Sequence, residues 1–118
     1  YIDAQSLRGR VAARFVAEVF DRVDVLALPG FGGAAPRIAD LEPTEDNVET
    51  VWAAIGDWTR PFNYLGVPAV SVPCGFDDGM PVGLQFVGRH FDDERLLALG
   101  LRWQGMTDWH RRLPPLAA

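Results

Sequence analysis

The chain has 118 residues and a net charge of −5, from 16 acidic and 11 basic side chains, and all 11 of the basic ones are arginine. The missing lysine removes Schiff-base chemistry, a phosphate-loop lysine and a lysine general base from what these residues can do unaided, while the acidic balance disfavours nucleic acid and anionic membranes as direct partners. A hydrophobic content of 48% with a charged fraction of 23% describes one compact domain rather than a disordered chain.

The sequence opens Tyr1-Ile2-Asp3, with no initiator methionine and a helical pattern already under way, so it reads as a piece of a longer protein. Leu7, Val11, Phe15 and Val19 recur at every fourth position, with most charges elsewhere. That spacing predicts an amphipathic helix from about Asp3 to Arg22. Asp24-Val25-Leu26-Ala27-Leu28 is a short apolar run closed by Pro29-Gly30, which predicts a strand buried on both faces. Residues 29–47 hold Gly30, Gly32, Gly33, Pro36 and Pro43 with acids at Asp40, Glu42, Glu45 and Asp46. They predict a long surface loop, functional or held by something else.

A second helix is expected from Thr44 or Asn47 to about Trp58, with Val48, Val51, Trp52 and Ile55 on one face, and Pro61 forces a break or a new start. Ala69–Pro73 and Val82–Val87 predict an antiparallel pair, because Asp77-Asp78-Gly79 between them tolerates the positive φ of a tight turn. Asp92 stands where an N-cap belongs, ahead of a last helix reaching about Met106, and Pro114-Pro115 ends the fold. A single cysteine leaves no internal disulfide, no apolar run nears the roughly 20 residues that span a bilayer, and the N-terminus lacks a signal-peptide layout. The cytoplasm is the expected compartment.

Several residues invite chemistry and have plainer explanations. Cys74 with His90 or His110 suggests a thiol and its base, but a cysteine between a strand proline and Gly75 reads as a packing residue. Asp77-Asp78 and Asp92-Asp93-Glu94 are explained by turn and cap roles, and their spacing matches no recognised metal loop. Gly30-Phe31-Gly32-Gly33 follows a strand, yet Ala34-Ala35-Pro36-Arg37 opens no helix, so a flexible loop is preferred to a phosphate cradle. Arg111-Arg112 reads as a solvated helix end, and Trp103, Met106 and Trp109 as core packing.

The stretch from Asn63-Tyr64-Leu65-Gly66-Val67-Pro68 through Ser71-Val72-Pro73-Cys74-Gly75-Phe76, followed by Asp78-Gly79-Met80-Pro81-Val82-Gly83-Leu84-Gln85-Phe86-Val87-Gly88-Arg89, closely resembles the C-terminal part of amidase signature family enzymes. Asp24–Pro29 and Phe91–Leu97 resemble the family's flanking elements, so the likeness covers essentially the whole chain. The resemblance implies an α/β fold, with residues 1–118 forming the C-terminal portion of a single amidase domain: part of its mixed central sheet and covering helices. It implies hydrolysis of carboxamide C–N bonds by a Ser, cis-Ser, Lys triad, in which lysine, through the middle serine, deprotonates the nucleophile and backbone N–H groups hold the oxyanion.

None of that triad can be carried onto this chain, which has no lysine and whose only serines are Ser6 and Ser71. No catalytic residue, metal or cofactor is therefore assigned. What the resemblance does assign is one wall of a small-molecule amide pocket, at Gly30 and Phe31 and at Trp58, Thr59 and Asn63, supported by Gly75, Gly83 and Gln85. Gly75 and Gly83 are expected where other segments come close, and Gln85, in an apolar strand, is expected to bond backbone of an adjoining segment. In the branch that transamidates tRNA-bound substrates an Asp precedes the Thr-x-Pro-x-Asn stretch by three positions, whereas Asp57 precedes Thr59 by two. The reading therefore favours a general amidase. The alternative is a non-catalytic binding or scaffold protein related to the A subunit of the tRNA-dependent amidotransferase. Strand edges left uncovered in an excised piece make a homodimer possible.

Overall fold

The structure is a computed structural model that describes residues 1–42, 44 and 46–113, apart from the side chains of residues 54 and 55. Pro43, the side chain of Ile55 and the Pro114-Pro115 tail lie outside the described residues.

Helix α1 (Ile2–Val19) stops three residues short of the expected end, because Phe20 closes the last turn through its N–H to the Val16 carbonyl and buries its ring. Strand β1 (Leu26–Pro29) alternates half-buried and exposed positions instead of burying both faces. The reason is its place at one margin of the sheet, where a helix layer covers only one side. The long loop that follows contains one short 3-10 turn, Ile38–Leu41. Helix α2 (Val48–Gly56) begins after Asn47, and Pro61 starts a new helix, α3 (Arg60–Leu65), from its first turn, where a missing N–H costs nothing.

Strands β2 (Ala69–Asp77) and β3 (Met80–Val87) form the expected hairpin, with Asp78 and Gly79 at φ 47° and 77° in the turn. Both strands run further than their apolar cores predict. Pro73 does not end β2: the register steps from Pro73↔Gly83 to Gly75↔Val82, so Cys74 is the extra residue of a β-bulge. The outward Pro73 carbonyl is taken by the Trp103 indole N–H at 2.9 Å. The sheet order is β1-β3-β2, antiparallel throughout this chain's three strands. Helix α4 (Asp93–Met106) follows Asp92, whose carboxylate accepts the Arg89 backbone N–H at 3.3 Å rather than capping its own helix.

Alternation along β3 divides the core in two. Val87 packs with Phe20, Leu65, Val67 and Ala12 beneath α1 and α3, while its neighbour Phe86 packs with Val72 and Leu96 beneath α4. The helices are tied by polar contacts as well: Arg8 Nε donates to the Tyr64 carbonyl at 2.6 Å, and the Tyr64 hydroxyl donates to the Ala4 carbonyl. On the surface, Glu18 hydrogen-bonds Arg14 one turn away and pushes the guanidinium pKa above its ordinary value.

Outside the hairpin turn, two residues hold left-handed backbone for opposite reasons. Gly66 ends α3 at φ 70°, where only glycine is free of the Cβ penalty. Phe91, 96% exposed, adopts φ 67° on the approach to α4 with no burial to offset it. Gly66→Ala is expected to cost about 1–2 kcal/mol and Phe91→Asn to gain up to about 1 kcal/mol. Urea unfolding of the two variants checks both signs.

Candidate functional site

Pairing brings the loop after β1 over the middle of β3. Leu28 opposes Gln85 and Pro29 opposes Leu84, and the Gly30 N–H extends the ladder one step by donating to the Gly83 carbonyl at 2.8 Å. The approach is tight. A Cβ on Gly30 would stand 3.3 Å from both that carbonyl and the Ser71 hydroxyl, and one on Gly83 would meet the same hydroxyl at 3.3 Å. Gly75 is different: its Cβ would meet Val82 Cγ2 at an ordinary 3.7 Å, so nothing among the described residues requires its missing side chain.

Gln85 is 4% exposed and sits across from Ser71. Its amide nitrogen donates to the Pro29 carbonyl at 2.9 Å and to the Trp58 carbonyl at 2.7 Å. A buried amide must find such partners, since an unpaired one costs about 1–3 kcal/mol. One side chain thus bridges the loop after β1 and the junction between α2 and α3, two segments nearly thirty positions apart in sequence (29 and 58).

Trp58 reaches back over that loop, its indole nitrogen 3.3 Å from where a Gly32 Cβ would stand. Phe31 lines an apolar cavity of about 240 Å³ together with Leu28, Pro29, Cys74, Val82 and Leu84. Thr59 occupies the N-cap position of α3 without capping it, its hydroxyl 3.5 Å from the Gly56 carbonyl. The structure therefore gathers Gly30, Phe31, Trp58, Gly83 and Gln85 in one region. Asn63 lines a separate depression with Phe62, Gly66, Val67 and His90.

The other reactive residues are occupied or apart. Cys74 gives its thiol to the Val82 carbonyl at 3.6 Å, and neither histidine lines its cavity. Asp57 pairs loosely with Arg60 on the surface at 3.9 Å. Among the described residues no three His, Cys, Asp or Glu side chains converge in a way that would hold a metal. Arg111 and Arg112 stand exposed at the end of the last 3-10 turn (Trp109–Arg111), and Arg112 in addition stacks over Trp109 and Phe76, 4.6 and 5.5 Å from the ring centroids, and pairs with Asp108 at 3.5 Å. Trp103 packs edge-on against Phe86, as core packing requires.

Two features escaped the sequence reading. Cys74 lines the same cavity as Phe31 because the bulge turns it there, and the only signal was a proline inside a strand pattern. Ser71 stands over the two close glycines, which follows from register and not from any motif.

Comparison with known proteins agrees across nearly the whole chain. The family model described as Amidase matches residues 1–97. The A subunit of the glutamyl-tRNA(Gln) amidotransferase of Thioalkalivibrio sulfidiphilus is 42% identical over 114 residues, covering 97% of this chain and 22% of that protein. Among solved structures, 6-aminohexanoate cyclic dimer hydrolase superposes with a TM-score of 0.77 at 27% identity, covering 98% of this chain and 25% of that one. The A subunit of the glutamyl-tRNA(Gln) amidotransferase of Thermotoga maritima gives 0.61 at 30% identity, covering 78% and 19%. The chain thus spans about a quarter or less of the length of these relatives.

Proposed function

The chain belongs to the amidase family, and on that premise we propose that it supplies the frame and one pocket wall of an enzyme that cleaves carboxamide C–N bonds, the catalytic residues lying elsewhere in a longer parent chain. The observation that carries this reading is the Gln85 bridge, which brings the segments bearing Phe31 and Trp58 to one place beside an apolar cavity. A pocket needs walls fixed relative to one another, and apolar lining with few polar groups suits the acyl part of an amide. The bond-breaking chemistry would come from a serine nucleophile and a lysine base, neither of which these residues provide.

Within this reading the chain takes the C-terminal portion of the domain, and hydrolysis is preferred to amide transfer. Asp57 pairs loosely with Arg60 on the surface, which does not favour it as the acid that would hold a glutamine substrate. The fit to the cyclic dimer hydrolase over 98% of the chain supports the same preference. A second reading, in which the parent is the A subunit of a tRNA-dependent amidotransferase and works with further subunits, is favoured by the 42% identity to such a protein. One experiment separates them: the full-length parent is assayed for ammonia release from aliphatic, aryl and amino-acid amides. Broad turnover without partner proteins is the expected result. Activity confined to glutamine and dependent on added subunits would establish the second reading.

A further inference from the structure

Gln85 has more hydrogen-bonding capacity than the two wall loops use. Both amide hydrogens are committed, to the Pro29 and Trp58 carbonyls. That fixes the amide plane and presents the oxygen in one direction as an acceptor, with no donor among the described residues. His110 Nδ1 is the fully enclosed side-chain atom left without a partner among those residues, so the Gln85 oxygen keeps an open face. Beside it lies Ser71, its cross-strand partner, with an exposed side chain. The missing Cβ atoms of Gly30 and Gly83, each of which would crowd the Ser71 hydroxyl at 3.3 Å, leave a notch floored by backbone.

An amide oxygen at the open face of a residue only 4% exposed calls for a donor once that face is covered. The chain covers 22% of its curated relative, which leaves most of a domain to pack against it. We propose that Gln85 is a positioning residue: its nitrogen holds the two wall loops together while its oxygen accepts an N–H from a main-chain segment of the rest of the domain, seated in the notch formed by Ser71, Gly30 and Gly83. The proposal rests on the amidase reading above. A segment held this way is registered against both walls through one rigid amide group.

The test uses the full-length parent, a primary amide and its matched ester, with kcat and KM measured across pH alongside backbone hydrogen exchange. Gln85→Glu preserves the shape and an acceptor, but an ionised carboxylate offers no donor to the two wall carbonyls. The expected result is a fall in kcat/KM of roughly tenfold to hundredfold, equal for amide and ester, as misplacement of a pocket by about 1 Å produces. Exchange should quicken at residues 29–33 and 57–60 and in a segment outside this chain. Activity relative to the unsubstituted enzyme should recover as pH falls, because the carboxyl, held protonated more readily by burial, regains one donor. A pH profile parallel to that of the unsubstituted enzyme, or an unchanged kcat/KM, overturns the proposal. So does a rise in KM for the amide alone, which would place the oxygen on the substrate's own N–H. If Gln85→Glu does not fold, Gln85→Met should show the same loss with no recovery at low pH, and unchanged kinetics there overturn the proposal equally. Should the unsubstituted parent turn over neither amide nor ester, the amidase reading fails, and the exchange comparison still decides whether the oxygen seats a segment.

Discussion

The 118-residue chain alone should release no ammonia from any carboxamide, while a longer parent of the kind proposed above should turn over at least one. The effect is the largest the sequence permits, because enzymes of ordinary efficiency accelerate their reactions by about 10⁶-fold or more. A serine nucleophile is inert without a base to take its proton, and the base that the family resemblance implies, a lysine, is absent from all 118 positions. Ser6 spends its hydroxyl on the Ile2 carbonyl one turn back in α1. Ser71 has close glycine backbone around its hydroxyl, and no hydrogen bond from that hydroxyl to a titratable side chain is found among the described residues. An ammonia-release assay on the isolated chain and on the parent, at equal molar concentration, checks the prediction. Turnover by the chain alone that disappears in Cys74→Ala would make the thiol the nucleophile and overturn the serine-based reading.

Phe20→Ala is expected to destabilise the protein by about 3–5 kcal/mol. The ring is 1% exposed and sits at the join of every layer on its side of the sheet. Phe15 meets it edge-on with centroids 5.8 Å apart, and Phe62 meets Phe15 in turn at 6.3 Å. Arg89, which follows β3, lies over the same ring at 5.6 Å and also donates to the Phe20 carbonyl. Truncation therefore removes apolar burial, one aromatic contact and the surface on which a cation rests. A lowered urea midpoint with an unchanged slope is the signature sought. A loss under about 1 kcal/mol would mean that α1 is not packed on the sheet as described.

How far the sequence could be read depended on whether a signal was local. The Asp78-Gly79 turn, the left-handed Gly66 and the amphipathic run of α1 depend on residues a few positions apart, and each is visible in the linear pattern. The bulge at Cys74 was hidden because Pro73 reads as a strand terminator unless the partner strand is already known to step past it. β1 looked like a strand buried on both faces because five apolar residues in a row do not reveal which neighbours will cover them. For the site, Gln85 was legible as a residue needing backbone partners, from its place in an apolar strand. That those partners are Pro29 and Trp58, and that Asn63 falls into a separate depression, are facts of tertiary placement that no spacing records.

The two margins of the sheet are unequal. Along β2, Pro73, the bulge at Cys74 and the Trp103 indole on the Pro73 carbonyl interrupt the outer row of donors and acceptors. Along β1 the outer row from Leu26 to Leu28 is regular, with no bulge in its pairing to β3. Runaway stacking of copies requires two receptive margins on every molecule, one to give and one to take. A chain with a single receptive margin can meet another only face to face about a two-fold axis, after which no free margin is left to recruit a third. For these 118 residues taken alone, the same interruption that bends one strand around Cys74 is expected to hold pairing through the sheet to two copies.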